Sequence, residues 1–252
     1  MKIAITGKGG VGKSSIIAFL ARALSETGNK VLLIDADPDM SLATILGLHN
    51  KNDITPITEL KELIAERTGT KVNTPSPIFK MNPKVDDIPD KYCINFNNIK
   101  LITMGTIRKG GGGCACPENT FIKQLLSHLV IQRKEIVLLD MEAGIEHLGR
   151  GTAIGVDRMI VVVEPSLTSI DTAHRIKKLS KEIGIKSLVA IGNKIQNSED
   201  RDFINENLKD INIAGFIEYA DIMKKLNSND IELFSIQGRL IEQIDQILKK
   251  IL

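Results

Sequence analysis

The chain has 252 residues, 42% hydrophobic and 25% charged, and its 33 basic and 31 acidic residues give a net charge of +2. This composition is typical of a globular protein and argues against a disordered, collagen-like or coiled-coil chain. The balanced charge and the scarcity of aromatic residues predict no nucleic-acid partner and no polybasic membrane surface. Three cysteines are too few for a disulfide scaffold, and the N-terminus lacks a signal-peptide pattern, so we expect a cytoplasmic protein.

Short apolar runs rich in β-branched residues alternate with helical patterns along the chain. These runs predict buried strands at 3–6, 31–34, 101–104, 136–139, 159–163 and 188–191. Helical patterns lie between them at 14–27, 120–132 and 169–183. The alternation predicts βαβ units, and therefore an α/β fold with a mostly parallel central sheet and helices on both faces.

We expect the whole chain, 1–252, to form a single domain. The segment 70–98 contains four prolines and little periodicity, which predicts an irregular excursion on the surface rather than a linker. The last stretch, 236–252, is amphipathic and predicts a terminal helix docked on the sheet. The alternative is a helix on a membrane surface, which the lack of an aromatic anchor disfavours.

One motif predicts a phosphate-binding loop. The pattern G-x-x-x-x-G-K-[ST] is matched, between a strand and a helix, by Gly7-Lys8-Gly9-Gly10-Val11-Gly12-Lys13-Ser14. Backbone N–H groups of such a loop surround phosphate oxygens, and the following helix adds its positive N-terminal end. We expect Lys13 to reach the β- and γ-phosphates, the Ser14 hydroxyl to ligate Mg²⁺, and Ser15 to meet the α-phosphate. The motif therefore predicts a P-loop NTPase.

Lys8 is unusual in this loop. A lysine this early cannot easily fold back onto the β-phosphate of its own nucleotide, which Lys13 already serves. We predict that Lys8 points outward and neutralises transition-state charge on a nucleotide in a neighbouring subunit, as an arginine finger does. This role requires a face-to-face dimer. The alternative is an ordinary solvated lysine on a loop.

Carboxylates follow two of the predicted strands, at the sheet edge where open parallel sheets bind ligands. Asp140 follows four apolar residues and occupies the Walker B position. We expect Asp35 to support the outer shell of Mg²⁺ and Asp37 to position or deprotonate the attacking water. The N–H of Gly144 is free to sense the γ-phosphate. Solvated turns are the alternative for these acids.

Asn193-Lys194 follows the predicted strand 188–191 and is a candidate base-binding element. An asparagine side chain offers both a donor and an acceptor to a base edge. Guanine recognition usually requires an Asp two residues after the Lys, and Gln196 occupies that position, so adenine is favoured. A turn residue is the alternative for Asn193.

A glycine-rich segment, 110–118, contains Cys114 and Cys116. A thiophilic divalent ion prefers four ligands, and the histidines are scattered along the sequence. A twofold dimer would supply four sulfurs, so we predict a Zn²⁺ or Ni²⁺ site shared between subunits. An inert or redox-active thiol pair is the alternative. Cys93 stands alone and is interpreted as a packing residue.

These residues resemble the MinD/nitrogenase-iron-protein class of deviant Walker A ATPases, whose signature is Lys8 together with Lys13. Within that class the chain is most similar to the CooC-type maturation ATPases of nickel carbon monoxide dehydrogenase. The motifs that carry this similarity are Cys114-Ala115-Cys116, Asp140-Met141-Glu142-Ala143-Gly144 and the segment 146–151.

The resemblance implies an ATPase that dimerises on binding ATP or metal and helps to insert nickel into the active-site cluster of the dehydrogenase, or of a related nickel enzyme. By position it assigns to ATP the residues Lys8, Lys13, Ser14, Asp37 and Asp140. It assigns Cys114 and Cys116 to metal. Nickel and the client enzyme come from the resemblance alone.

Two other functions remain open on the sequence. One is a positioning ATPase of the cell-division or plasmid-partition kind, which acts on a membrane or DNA and does not need the cysteine pair. The other is an iron–sulfur electron donor like the nitrogenase iron protein, because four thiolates across a dimer could hold a cluster. That protein takes its ligands from two separated loops, whereas Cys114 and Cys116 are nearly adjacent.

Overall fold

The computed structural model describes residues 1–48, 54–72, 78–105, 117–142, 155–228 and 230–252. Within these ranges eight strands form one sheet in the order β3-β4-β2-β5-β1-β6-β7-β8. The strands are β1 (Lys2–Gly7), β2 (Val31–Asp35), β3 (Ile94–Phe96), β4 (Ile99–Thr103), β5 (Ile136–Asp140), β6 (Arg158–Val163), β7 (Leu188–Ile195) and β8 (Asn212–Glu218). Neighbouring strands are parallel except β3 and β4. The predicted fold class is confirmed.

Helices cover both faces of this sheet. They are α1 (Lys13–Glu26), α2 (Leu42–Ile45), α3 (Lys61–Thr68), α4 (Ile88–Tyr92), α5 (Pro117–Ile131), α6 (Leu167–Ile183), α7 (Ser198–Asn207), α8 (Asp221–Asn227) and α9 (Arg239–Ile251). The first core, between one sheet face and α1, α2 and α9, is dominated by Ile and Leu. The second, under α3 to α7, contains Phe121. The strands therefore have two buried faces, which explains their nearly unbroken apolar sequences.

The C-terminal helix α9 docks on the sheet, as the sequence predicts. Its apolar side chains include Ile244 and Ile251, both 0% exposed, and they belong to the first core. Helix α9 packs against β8 and α1. In the described ranges no helix combines the length and apolarity needed to cross a bilayer.

Two strands of the sheet, β3 and β8, were not predicted from the sequence. The segment 70–98, predicted to be irregular, contains α4 and the edge strand β3. Strand β3 turns into β4 through Asn97 and Asn98, which have φ values of 45° and 62°. Paired left-handed residues are typical of a tight β-hairpin, and this Asn-Asn pair is the signal that could have revealed it. Strand β8 at the other edge was also missed; a bulge interrupts its pairing with β7.

Candidate functional site

The phosphate-loop motif lies at the carboxyl end of β1, and α1 begins at Lys13. Two of its glycines are required by close approaches. A Cβ on Gly7 would lie 2.5 Å from the carbonyl oxygen of Val162, and one on Gly12 would lie 2.5 Å from Asn193 Nδ2. Gly12 also has a φ of +95°, in the left-handed region that favours glycine. A side chain at either position would therefore clash with its neighbours, which explains why the loop has glycine there.

Lys13 and Asp37 meet beside the loop. Lys13 Nζ lies 3.4 Å from Asp37 Oδ2, and the two side chains are only 7% and 11% exposed. The other Asp37 oxygen, Oδ1, accepts a hydrogen bond from Asp39 N at 3.1 Å. A nearly buried cation and a nearly buried carboxylate are thereby placed next to the loop that is expected to hold phosphate.

A row of buried polar side chains crosses three neighbouring strands. Asp35 on β2 is in register with Thr103 on β4 and with Asp140 on β5, so the three share one face of the sheet. Asp35 Oδ2 accepts a hydrogen bond from Leu42 N at 3.2 Å. Among the described residues, Asp35 Oδ1, Thr103 Oγ1 and both Asp140 carboxylate oxygens have no hydrogen-bond partner. Buried oxygens of this kind are suited to a hydrated cation.

Burial perturbs both carboxyl groups of this row. Burial and, second to it, the nearby charge of Asp140 raise the pKa of Asp35 to about 8, against the opposing hydrogen bond from Leu42. Burial also raises the pKa of Asp140 to about 7. The Ser14 hydroxyl lies near Asp140 without forming a hydrogen bond of ordinary geometry. Both this hydroxyl and the charge of Lys13 lower the pKa of Asp140 and so oppose the effect of burial. Near neutral pH the Asp35 and Asp140 carboxyl groups therefore retain protons.

These raised pKa values predict a pH dependence of stability. The folded chain keeps carboxyl protons that the unfolded chain releases near the usual aspartate pKa of about 3.9. We therefore expect the melting temperature of the nucleotide-free protein to fall as the pH is raised from about 5 to about 8. Thermal melts should show a weaker fall for Asp35→Asn. Equal slopes for the two proteins over that interval would contradict the prediction.

The Lys8 side chain contacts two residues that follow β6, beyond its own loop. Lys8 Nζ donates a hydrogen bond at 2.8 Å to the Oγ1 of Thr168, which lies in the first turn of α6. Lys8 Nζ also lies 3.8 Å from Glu164 Oε1. The Lys8 side chain is 40% exposed, in contrast to Lys13. The outward direction of Lys8 and its role in a second subunit both stay predictions.

Asn193 and Lys194 both contact the loop itself. Asn193 Nδ2 donates to the carbonyl oxygen of Val11 at 2.7 Å, and Lys194 Nζ donates to that of Gly10 at 2.8 Å. This hydrogen bond to Val11 occupies the amide nitrogen of Asn193, and the residue is only 4% exposed. Recognition of a base by Asn193 stays a prediction.

Two cavities lie at opposite edges of the sheet. One, of about 470 Å³, is beside the predicted site at the ends of β7 and β8, lined by Ile195, Gln196, Glu218 and Tyr219. The other, of about 600 Å³, lies at the amino ends of β2 and β5 and contains no predicted site residue. The smaller cavity is the one near the predicted base-binding residues, since its lining residue Ile195 directly follows Lys194.

Cys114, Cys116 and Gly144 lie outside the described residues, in 106–116 and 143–154. Within the described ranges no cluster of three His, Cys, Asp or Glu side chains could hold a metal ion. Cys93 packs against the second core, which confirms its interpretation as a packing residue. Burial raises the pKa of its thiol to about 11, so the thiol stays protonated at neutral pH.

Sequence reasoning missed Glu164 and Thr168. Glu164 accepts a hydrogen bond from Lys194 Nζ at 2.8 Å and lies beside Lys8. A signal for it existed, because Glu164 directly follows β6, and the same rule of strand ends identified Asp35 and Asp140. No comparable signal marked Thr168.

The sequence is similar to those of known nucleotide-binding proteins. The model of the CobQ/CobB/MinD/ParA nucleotide binding domain matches residues 2–233. The chain is 42% identical to the carbon monoxide dehydrogenase accessory protein CooC of Rhodospirillum rubrum, over 94% of this chain and 90% of that protein. It is 44% identical to an uncharacterized ATP-binding protein of Methanocaldococcus jannaschii, over 100% of this chain and 98% of that protein.

Solved structures show the same fold. A ParA family ATPase from Chlorobium tepidum superposes with a TM-score of 0.71 at 20% identity, covering 98% of this chain and 97% of that chain. MinD in the MinC:MinD cell division complex of Aquifex aeolicus gives a TM-score of 0.69 at 22% identity, covering 99% and 94%.

Proposed function

The chain belongs to the CobQ/CobB/MinD/ParA family of nucleotide-binding proteins, as a CooC-type ATPase, and we propose that it couples ATP hydrolysis to nickel insertion into a carbon monoxide dehydrogenase. The observation that carries this proposal is the 42% identity to CooC over nearly the whole chain, in a sequence that also contains Cys114 and Cys116. A related nickel enzyme as client falls within the same proposal.

Magnesium fits the residues present. The Asp35 and Asp140 carboxylates bring buried oxygens without described partners to the edge of the sheet beside Ser14. Hard cations such as Mg²⁺ prefer oxygen ligands. We assign the direct ligand role to the Ser14 hydroxyl, and we expect Asp35 and Asp140 to hold the ion's waters. When bound, the ion neutralises charge on the phosphates.

The loop and its two lysines would do the remaining work of hydrolysis. Lys13 is already desolvated, so its charge would act strongly on the β- and γ-phosphates. Once phosphate competes for Lys13, the Asp37 carboxylate is released to orient the attacking water. Lys8 would enter the site of the second subunit and stabilise the charge that develops there.

Nickel is the cargo in this proposal, and the paired cysteines are its carrier. Two thiolates from each of two subunits complete four-coordinate binding only in the dimer. ATP closes the dimer, closure changes the spacing of the cysteine pairs, and hydrolysis resets it. Metal loading and nucleotide state are therefore coupled through dimerisation.

Replacing both cysteines tests the metal site. The variant Cys114→Ser with Cys116→Ser is expected to lose nickel while it binds ADP as the wild type does. The measurement is anaerobic nickel titration with elemental analysis, alongside ADP calorimetry. Cys93→Ser, which removes the buried thiol, is the matched control and should bind nickel normally. Undiminished nickel in the double variant would refute the site.

The same preparation distinguishes the competing functions. Binding of ATP-loaded protein to lipid vesicles or DNA, with no metal at Cys114 and Cys116, would favour a positioning ATPase. Iron and inorganic sulfide in the isolated protein would favour an iron–sulfur donor. Helix α9 buries its apolar face against β8 and α1, so a membrane role for it would require undocking.

A further inference from the structure

Strand β7 is irregular where it passes the phosphate loop. Its register with β8 shifts between Gly192 and Ile195, and Lys194 has a φ of +61°. A non-glycine residue rarely adopts this conformation, and a bulge redirects the side chains around it. Here the side chains of Asn193 and Lys194 both reach the loop backbone. The bulge therefore coincides with the two residues whose side chains hydrogen-bond the loop backbone.

The Glu164 carboxylate contacts two lysines, Lys8 and Lys194. Glu164 Oε2 accepts a hydrogen bond from Lys194 Nζ at 2.8 Å, and Glu164 Oε1 lies 3.8 Å from Lys8 Nζ. The backbone of Glu164 is fixed in turn, since its N–H donates to Ser169 Oγ at 3.1 Å. The Glu164 side chain is 21% exposed, so its charge is partly shielded from water.

We propose that Glu164 is a positioning residue of the nucleotide site, acting through Lys194. The carboxylate restricts the flexible Lys194 side chain to the orientation in which its ammonium group holds the Gly10 carbonyl. That contact fixes the curve of the loop and keeps its N–H groups directed at phosphate before the nucleotide arrives. A site organised in advance binds more tightly, because less ordering is left to binding.

The inference rests on nucleotide binding at the loop and is independent of metal delivery. Glu164→Gln keeps the size of the side chain and removes its charge. Lys194→Gln removes the cation and the ion pair. In calorimetric titrations with Mg²⁺ and ADP, each variant is expected to bind roughly 3- to 10-fold more weakly than the wild type. The double variant should bind no more weakly than Lys194→Gln alone, because the two residues act as a unit.

Asp210→Asn is the matched control. Asp210 pairs with Lys177 on α6, the helix that follows Glu164, so this variant removes an ion pair nearby in the fold without touching the loop. It should bind ADP as the wild type does. Steady-state kinetics should show that Glu164→Gln raises KM for ATP more than it lowers kcat, which a general loss of folded protein would not do.

Thermal melts establish that each variant is folded at the assay temperature. If Glu164→Gln does not fold, Lys194→Gln carries the same expectation with Glu164 in place. Unchanged ADP affinity in a folded Glu164→Gln, or losses that add in the double variant, would overturn the inference. Failure of the wild type to bind ADP would instead overturn nucleotide binding itself, so the two failures are distinguishable.

Discussion

Replacing Lys8 with alanine is expected to reduce ATP turnover by roughly 10³-fold while leaving ADP affinity little changed. The Lys8 side chain hydrogen-bonds Thr168, a residue beyond the loop, whereas Lys13 is desolvated beside Asp37. In the proposed role, loss of Lys8 removes charge only from the site of a neighbouring subunit. ATP turnover, ADP calorimetry and the mass of the ATP-bound species by light scattering measure the three consequences.

The Lys8→Ala variant should also remain monomeric with ATP, because the lysine would link one subunit to the phosphates of the other. Lys181→Ala, which removes an exposed lysine near the far end of α6, is the control and should turn over ATP normally. Normal turnover in Lys8→Ala would contradict the role in trans. Reduced turnover that mixing with an inactive Lys13→Ala partner restores would support it.

Replacing Asp37 with asparagine is expected to lower ATP hydrolysis by roughly 10²- to 10⁴-fold, the range for loss of a general base. Asp37 is buried and lies next to Lys13, where a carboxylate can face both the phosphates and a water. Asparagine keeps the shape and removes the charge. Single-turnover kinetics should show that ATP binds and the chemical step fails.

A dimer loaded with ATP should accumulate in Asp37→Asn, since dimerisation precedes hydrolysis in the proposed cycle. Asp39→Asn is the matched control, because Asp39 is exposed two residues further along the same turn. It should hydrolyse ATP at the wild-type rate. Equal losses in the two variants would show that the turn as a whole, rather than the Asp37 carboxylate, is required.

The sequence allowed the arrangement of the nucleotide site to be predicted because that arrangement follows from strand ends. Parallel strands place the residues after β1, β2 and β5 at one edge of the sheet. The loop motif, Asp35 and Asp140 are fixed in that way by backbone register alone. Six of the strands could be predicted because a strand buried on both faces is a short apolar run in the sequence.

Contacts between residues far apart in the sequence could not be predicted from local sequence patterns. The hydrogen bond from the Asn193 amide nitrogen to the carbonyl oxygen of Val11 joins residues 182 positions apart, and no local pattern encodes it. Thr168 meets Lys8 across a separation of 160 residues, and no local signal encodes that contact. Both cases depend on how two distant elements pack, which a single sequence does not specify.

Nickel stoichiometry in each nucleotide state tests the central claim, the coupling of ATP to metal, most directly. Purified protein is loaded anaerobically with Ni²⁺ without nucleotide, with ADP, and with a non-hydrolysable ATP analogue. Each sample is separated by size and assayed for nickel. We predict about one Ni²⁺ per two chains, on a dimer, in an amount that changes with the nucleotide and is lost without Cys114 and Cys116. Nickel binding that is the same in all three states would contradict the coupling.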